Sequence, residues 1–344
     1  MIFIALLIAL GFPIPAHATV IWSQTWESMT AGDQCTEILA TDSTITGCRD
    51  DEEEATPPDI SYVEVVTSIP GSSDSFPSGS KVLLTRHYGA TVQGDPTIGI
   101  GNSGSSLYNG YIPADHWGQI ALYLNNTGAE TSVWTNNRPF KLVYPCEAGD
   151  YPCQSDGLSW NYWLLQTVKN NSLGPFCDTS LIAETDGDMW LGLRDNDPTH
   201  STPAWAGGSP VCSLPNNFIG QTNLSERIRP GRWNIIRWHS RCTGGTCDYE
   251  SWIAPKGSAF VKVMDWRHGT TIEGYAFTWT YTGSGSHRAI YMPSTRPQAG
   301  SSGDNTWMYV DDMYIATSES DLPNYTGTGG LFGGAGFTGS VRIQ

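Results

Sequence analysis

Apolar and polar positions alternate in short runs along most of this chain, and glycine, proline, serine or asparagine bounds each run. Period-two alternation is the pattern of a half-buried strand, because successive side chains of an extended chain point to opposite faces. Strands are therefore predicted at 20–27, 60–67, 81–88, 117–125, 138–144, 158–169, 182–194, 249–253, 259–263, 274–281, 287–293 and 306–317. The segment 31–58 reads as a polar loop, and 89–110 as a loop rich in Gly, Ser and Asn. About a dozen strands with few helical patterns suit two packed antiparallel sheets. One domain over residues 19–320 is expected, followed by a glycine-rich tail over 321–344.

The run E-R-I-R-P-G-R-W-N-I-I-R-W-H-S-R-C-T-G-G-T-C, residues 226–247, organises this pattern. Pro230 and Gly231 make a turn, and alternation follows. Trp233, Ile235, Arg237, His239 and Arg241 fall on one face of the resulting strand, and Asn234, Ile236, Trp238 and Ser240 on the other. Five of the chain's thirteen arginines lie here, although the net charge is −16. Such a strip either pairs with neighbouring carboxylates or lines a groove for an anionic ligand. The acidic balance disfavours generic binding to nucleic acid or anionic membrane.

Residues 1–18 form an apolar run broken by Pro13 and Pro15 and ending in Ala16-His17-Ala18, the small-x-small pattern of a signal-peptide cleavage site. A secreted mature chain beginning near Thr19 is expected, extracellular or periplasmic, and no later stretch reads as a membrane span. The eight cysteines then read as disulfides, with neighbours in sequence as the suggested pairs: Cys35–Cys48, Cys146–Cys153, Cys177–Cys212 and Cys242–Cys247. No CxxC or nearby histidine favours zinc. The carboxylates at 50–54 read as a solvated loop or, should they converge, a structural calcium site; no other cofactor is implied. Sequons occur at Asn125, Asn170, Asn223 and Asn324.

Pro230-Gly231-Arg232-Trp233-Asn234-Ile235-Ile236 and Tyr309-Val310-Asp311-Asp312-Met313-Tyr314-Ile315 resemble strands of the concanavalin A-like jelly-roll superfamily, in particular its polysaccharide-lyase and laminin-G-type members. The opening 22–27 and the strand at 140–142 fit the same order. The resemblance implies an all-β, two-sheet antiparallel sandwich that handles an extracellular polysaccharide. Its lyase members cleave uronate polymers by β-elimination. That chemistry needs a cation on the uronate carboxylate, a base for the carbon-bound proton and an acid for the leaving oxygen. The resemblance implies Arg237 or Arg241 for the first, His239 for the second, and Tyr88 or Tyr291 for the third. Arg86, His87 and Trp160 are the substrate-binding candidates beside them. A lectin-like binding module and an extracellular structural or assembly protein stand as alternatives. So does a retaining glycosidase, because Glu184-Thr185-Asp186-Gly187-Asp188 resembles the E-x-D-x-E strand of jelly-roll endoglucanases, with Glu184 and Asp188 as its two carboxyls.

Overall fold

The structure is a computed structural model that describes residues 20–49, 62–89, 97–100, 112–113, 115–125, 140–146, 165–169, 189–194, 218–223, 225–243, 245–272, 275–276, 286–287, 289–294 and 304–325. Its elements begin β1 (Val20–Gln24), α1 (Cys35–Thr41), β2 (Ile45–Arg49), β3 (Tyr62–Val66), β4 (Val82–Gly89), β5 (Thr97–Ile100), β6 (Ile112–Pro113) and β7 (Asp115–Leu124). There follow β8 (Phe140–Cys146), β9 (Leu165–Lys169), β10 (Met189–Arg194), β11 (Phe218–Gly220), β12 (Trp233–Thr243), β13 (Thr246–Pro255) and β14 (Val261–Trp266). The last are β15 (Thr271–Ile272), β16 (Tyr275–Ala276), β17 (Ser286–His287), β18 (Ala289–Ser294) and β19 (Asp304–Ala316).

Eight strands make one antiparallel sheet in the order β14–β13–β12–β7–β19–β4–β3, and β1 also pairs with β19. Seven make the second, in the order β11–β10–β9–β8–β18–β5–β2. The result is the pair of antiparallel sheets that the alternation predicts, in the jelly roll that the resemblance implies, mostly β with the short helix α1. Ile120, Leu122, Ile236 and Trp238 of the first sheet share one buried cluster with Ile98, Leu142, Leu191 and Ile290 of the second. Burying each such side chain contributes about 1.5–3 kcal/mol, so this seam holds the sandwich together.

Alternation also drives apolar side chains to the other face of the first sheet. Trp233, Ile235, Tyr123, Leu84 and Tyr309 form a second cluster there, against which Phe76, Phe260 and Tyr325 pack. Residues 233–238 are consequently buried on both faces, unlike a strand with one solvated side. Lys256 pins this cover by donating from Nζ to the carbonyls of Ser75 (2.7 Å) and Phe76 (2.8 Å).

Two loop expectations are corrected. The segment 31–58 holds α1 and β2, where the Gln34 amide donates to Glu37 Oε2 (3.2 Å) across the first turn and the Cys35–Cys48 disulfide ties helix to strand. The segment 89–110 holds β5, a short strand between β2 and β18 in the second sheet. The Cys242–Cys247 disulfide is also present, closing the β12–β13 hairpin. The other suggested disulfides involve side chains outside the described residues. Outside them too lie residues 1–18, 50–54 and 326–344, and Trp160, Glu184 and Asp188. No helix among the described residues is long and apolar enough to cross a membrane.

Candidate functional site on the outer face of the eight-stranded sheet

The β12 strand starts from a turn that its own sequence builds. Gly231 adopts φ 77°, a conformation glycine takes without strain, and its amide donates to Leu124 O (2.8 Å). Buried Asn234 locks the turn: its Oδ1 accepts from the Arg229 amide (3.0 Å), and its Nδ2 donates to the carbonyls of Arg229 and Arg232 (both 2.9 Å). Arg232 completes the turn with an ion pair to Glu226 (2.7 Å).

Beyond the turn, register sets three rows across the sheet on the face turned away from the second sheet. The first row is Gln119, Arg237, Trp252 and Lys262; the second is Trp117, His239, Glu250 and Asp265; the third is Asp115, Arg241 and Asp248. Cross-strand neighbours on one face stand about 4.5–5.5 Å apart, so these side chains form one connected cluster. The His239 ring stacks on Trp117 with centroids 4.2 Å apart. Trp252 stacks on Trp117 at 5.3 Å, and Lys262 Nζ lies 5.1 Å from the Trp252 ring. Both tryptophans are half-buried.

Ion pairs connect the charged members. His239 Nε2 lies 2.9 Å from Asp115 and its Nδ1 3.4 Å from Glu250. Glu250 also accepts from Lys262 (2.5 Å) and Arg267, while Arg267 Nε donates to Asp265 (2.7 Å). Arg241 pairs with Asp248. Burial alone pushes the Glu250 carboxyl up, but hydrogen bonds from His239 and Lys262 and the charges of Arg267 and Lys262 outweigh it and hold the group at about 2. Of the two readings of the arginine strip, the geometry realises the first for Arg232, Arg237 and Arg241, since each meets a carboxylate.

The predicted site residues separate. Arg237, His239 and Arg241 share the expected face, turned away from the inter-sheet core. Arg237 is only 6 % exposed: its Nε and Nη2 donate to Gln119 Oε1 (3.1 and 2.9 Å), Nη1 to Glu319 (2.8 Å) and Nη2 to Pro323 O (3.0 Å). Phe260 covers its guanidinium at 4.1 Å. Both ring nitrogens of His239 face carboxylates. Arg86 shares the outer face but lies past Leu84 towards the opposite end of the sheet, between the rings of Tyr62 (5.7 Å) and Trp307 (5.2 Å). Counting through the paired rows, it stands about 25 Å from His239 along the strands, at about 3.4 Å per residue. His87 and Tyr88 continue β4 beyond Arg86, and Tyr291 belongs to β18 in the second sheet, so their backbones do not converge on His239. The side chains of these three lie outside the described residues.

Sequence reasoning overlooked Trp117, Trp252, Glu250 and Asp115. The same alternation, applied to D-H-W-G-Q and to D-Y-E-S-W, puts Asp115 with Trp117 and Glu250 with Trp252 on one face of each strand, and pairing with β12 makes it the face of His239. Among the described residues no group of three or more His, Cys, Asp or Glu side chains is arranged to hold a metal ion.

No family model matches the sequence, and no curated protein matches it. Solved structures match the fold. The chain is similar to the marine PL-14 alginate lyase from Aplysia kurodai, with TM-score 0.50 and 15 % identity over 87 % of this chain and 99 % of that one. It is also similar to a GH131 β-glucanase catalytic domain from Podospora anserina, with TM-score 0.43 and 11 % identity over 90 % and 100 %. A glycoside hydrolase family 131 catalytic domain from Coprinopsis cinerea has TM-score 0.40 and 12 % identity over 90 % and 98 %. The likeness to the alginate lyase structure supports a common jelly-roll fold and nothing finer.

Proposed function

We propose that the protein recognises an extracellular polysaccharide through the outer face of its eight-stranded sheet. The observation that carries this reading is the pair of half-buried, stacked tryptophans, Trp117 and Trp252, within a frame of polar side chains. A pyranose ring has apolar C–H surface bounded by hydroxyls. Indole takes the first, and carboxylates, guanidinium and ammonium groups hydrogen-bond the second. The jelly-roll fold, shared with carbohydrate-active proteins, supports the same reading, and the two disulfides favour an oxidising compartment outside the cytosol. The test is retention of the purified chain on a panel of immobilised polysaccharides, where Trp117→Ala and Trp252→Ala abolish retention while far-UV circular dichroism is unchanged. Retention that survives both substitutions moves the site elsewhere.

One observation favours a second reading, lyase chemistry on a uronate polymer. His239 reaches the surface on the same face as Arg241, whose side chain is 40 % exposed. For His239 to act as a base, a ring nitrogen must turn from Asp115 or Glu250 to the substrate. An absorbance time course for unsaturated uronate ends, with wild type against His239→Ala, decides this reading. A flat trace on alginate, glucuronan and pectin leaves recognition alone.

A further inference from the structure

From the same cluster we infer that the ligand is an uncharged polysaccharide, bound by stacking on Trp117 and Trp252 and by hydroxyl hydrogen bonds, and not a uronate or an amino-sugar polymer. This rests on the recognition reading above and names the class of its ligand.

Four carboxylates, Asp115, Asp248, Glu250 and Asp265, surround the tryptophans, and each has a partner inside the cluster. His239 lies at hydrogen-bond distance from Asp115, while the cations are all paired: Arg241 with Asp248, and Lys262 and Arg267 with Glu250 and Asp265. An anionic sugar that sought any of these cations would have to displace a carboxylate already held at hydrogen-bond distance. It would exchange one ion pair for another and leave a protein carboxylate without its counter-ion. A cationic sugar meets the mirror-image obstacle. The whole chain carries −16, so a polyanion is also repelled before it arrives.

A matched network suits hydroxyls. An oxygen of a paired carboxylate still has lone pairs to accept from a sugar O–H, and a paired guanidinium or ammonium still has N–H groups to donate. The outer members remain within reach of solvent: the side chains of Asp115, Asp265, Arg241 and Lys262 are 47 %, 41 %, 40 % and 37 % exposed. Binding then draws on indole contact and neutral hydrogen bonds, which salt screens little.

The test is affinity gel electrophoresis of the full chain in gels cast with soluble mixed-linkage β-glucan, glucomannan, galactomannan, alginate or chitosan, run at low salt and at about 0.5 M NaCl, where the Debye length shrinks to a few ångströms. The inference expects retardation by at least one neutral polymer, with affinity changing less than about twofold between the two salts. Trp117→Ala and Trp252→Ala should each weaken it by about tenfold or more. Retardation by alginate or chitosan alone, lost at high salt and sensitive to the tryptophans, overturns the uncharged-ligand inference but leaves recognition at this face intact. No retardation by any polymer, or retardation indifferent to both tryptophans, overturns the recognition reading as well.

Discussion

Asp311 and Asp312 place two adjacent, fully buried carboxyls at the point where β19 changes partners. On one edge β19 pairs with β4 up to Val310 and with β1 from Met313 onward. On its other edge the register with β7 slips between Asp311 and Tyr314, and Asp312 takes φ 48°, a left-handed value that aspartate tolerates better than most residues. Asp311 Oδ2 accepts from the Ser78 amide (3.2 Å) and hydroxyl (3.3 Å), and Asp312 accepts from the Tyr325 hydroxyl. Burial, and then the charge of Asp312, pushes Asp311 well above the ordinary carboxylate range; burial raises Asp312 too.

Those shifts fix a sign. A carboxyl whose folded-state pKa is raised holds its proton longer in the native state than in the unfolded chain, so stability falls as pH rises from the ordinary value of 3.8 through the raised one. Urea unfolding of wild type and Asp311→Asn at a series of pH values from about 4 to 8 should show this decline as the difference between the two proteins. The variant, whose amide oxygen can still accept from Ser78, lacks this contribution and should be more stable than wild type at neutral pH. An unchanged slope in the variant would show that another group carries the dependence.

Gly118 and Trp238 face each other across β7 and β12, and a Cβ on Gly118 would lie 2.0 Å from the Trp238 ring. Gly118→Ala should destabilise the protein by about 1–3 kcal/mol, the usual cost of overpacking a core. Trp238→Leu alone opens a cavity, so the double variant should be less unstable than the two losses added together, since one defect fills the other. Chemical denaturation of the four proteins provides the comparison, and strict additivity would deny that the contact is the cause.

Arg237 and Arg241 lie two positions apart on one face, yet should respond unequally to truncation. Arg237→Ala deletes donors to Gln119, Glu319 and Pro323 O and uncovers Phe260, a loss of about 1–3 kcal/mol. Arg241→Ala removes an ion pair at the surface and should cost under about 1 kcal/mol. Thermal melts of both variants beside wild type measure the difference, and equal losses would mean that the burial of Arg237 has little energetic weight.

The contrast shows what the sequence carries. Period-two alternation assigned Arg237, His239 and Arg241 to one face because side-chain direction in a strand is a local property. Whether an arginine on that face is buried depends on what packs over it, and Glu319 and Pro323 come from a distant part of the chain. The partners of His239 were more accessible to reasoning. Once Cys242 is paired with Cys247, the hairpin register follows, and it sets Arg237 opposite Trp252 and His239 opposite Glu250. The β7 neighbours Asp115 and Trp117 needed the strand order, which no short-range pattern encodes. Helix α1 was missed because its seven residues are too few to show a period and depend on the disulfide at their start.

Glu250 supplies a last expectation, with the sign reversed from that of the aspartate pair. Its folded pKa of about 2 lies below its ordinary 4.5, so its contribution to stability is present above the ordinary value and is lost as pH falls through that window. Buried His116 acts in the same direction at milder acidity. Its Nδ1 donates to Pro113 O (2.8 Å), its Nε2 accepts from Trp238 (3.4 Å), and burial lowers its pKa from 6.5 to about 4. Acid unfolding should therefore proceed in two overlapping stages, the loss of neutral His116 preceding that of ionised Glu250. Glu250→Gln should remove the second stage and leave the first. Because the amide cannot neutralise Lys262 and Arg267, it should also lower stability at neutral pH and disturb the stack on Trp117. Tryptophan fluorescence during acid titration reads both stages, and a variant that retains the lower one would assign it to a different carboxylate.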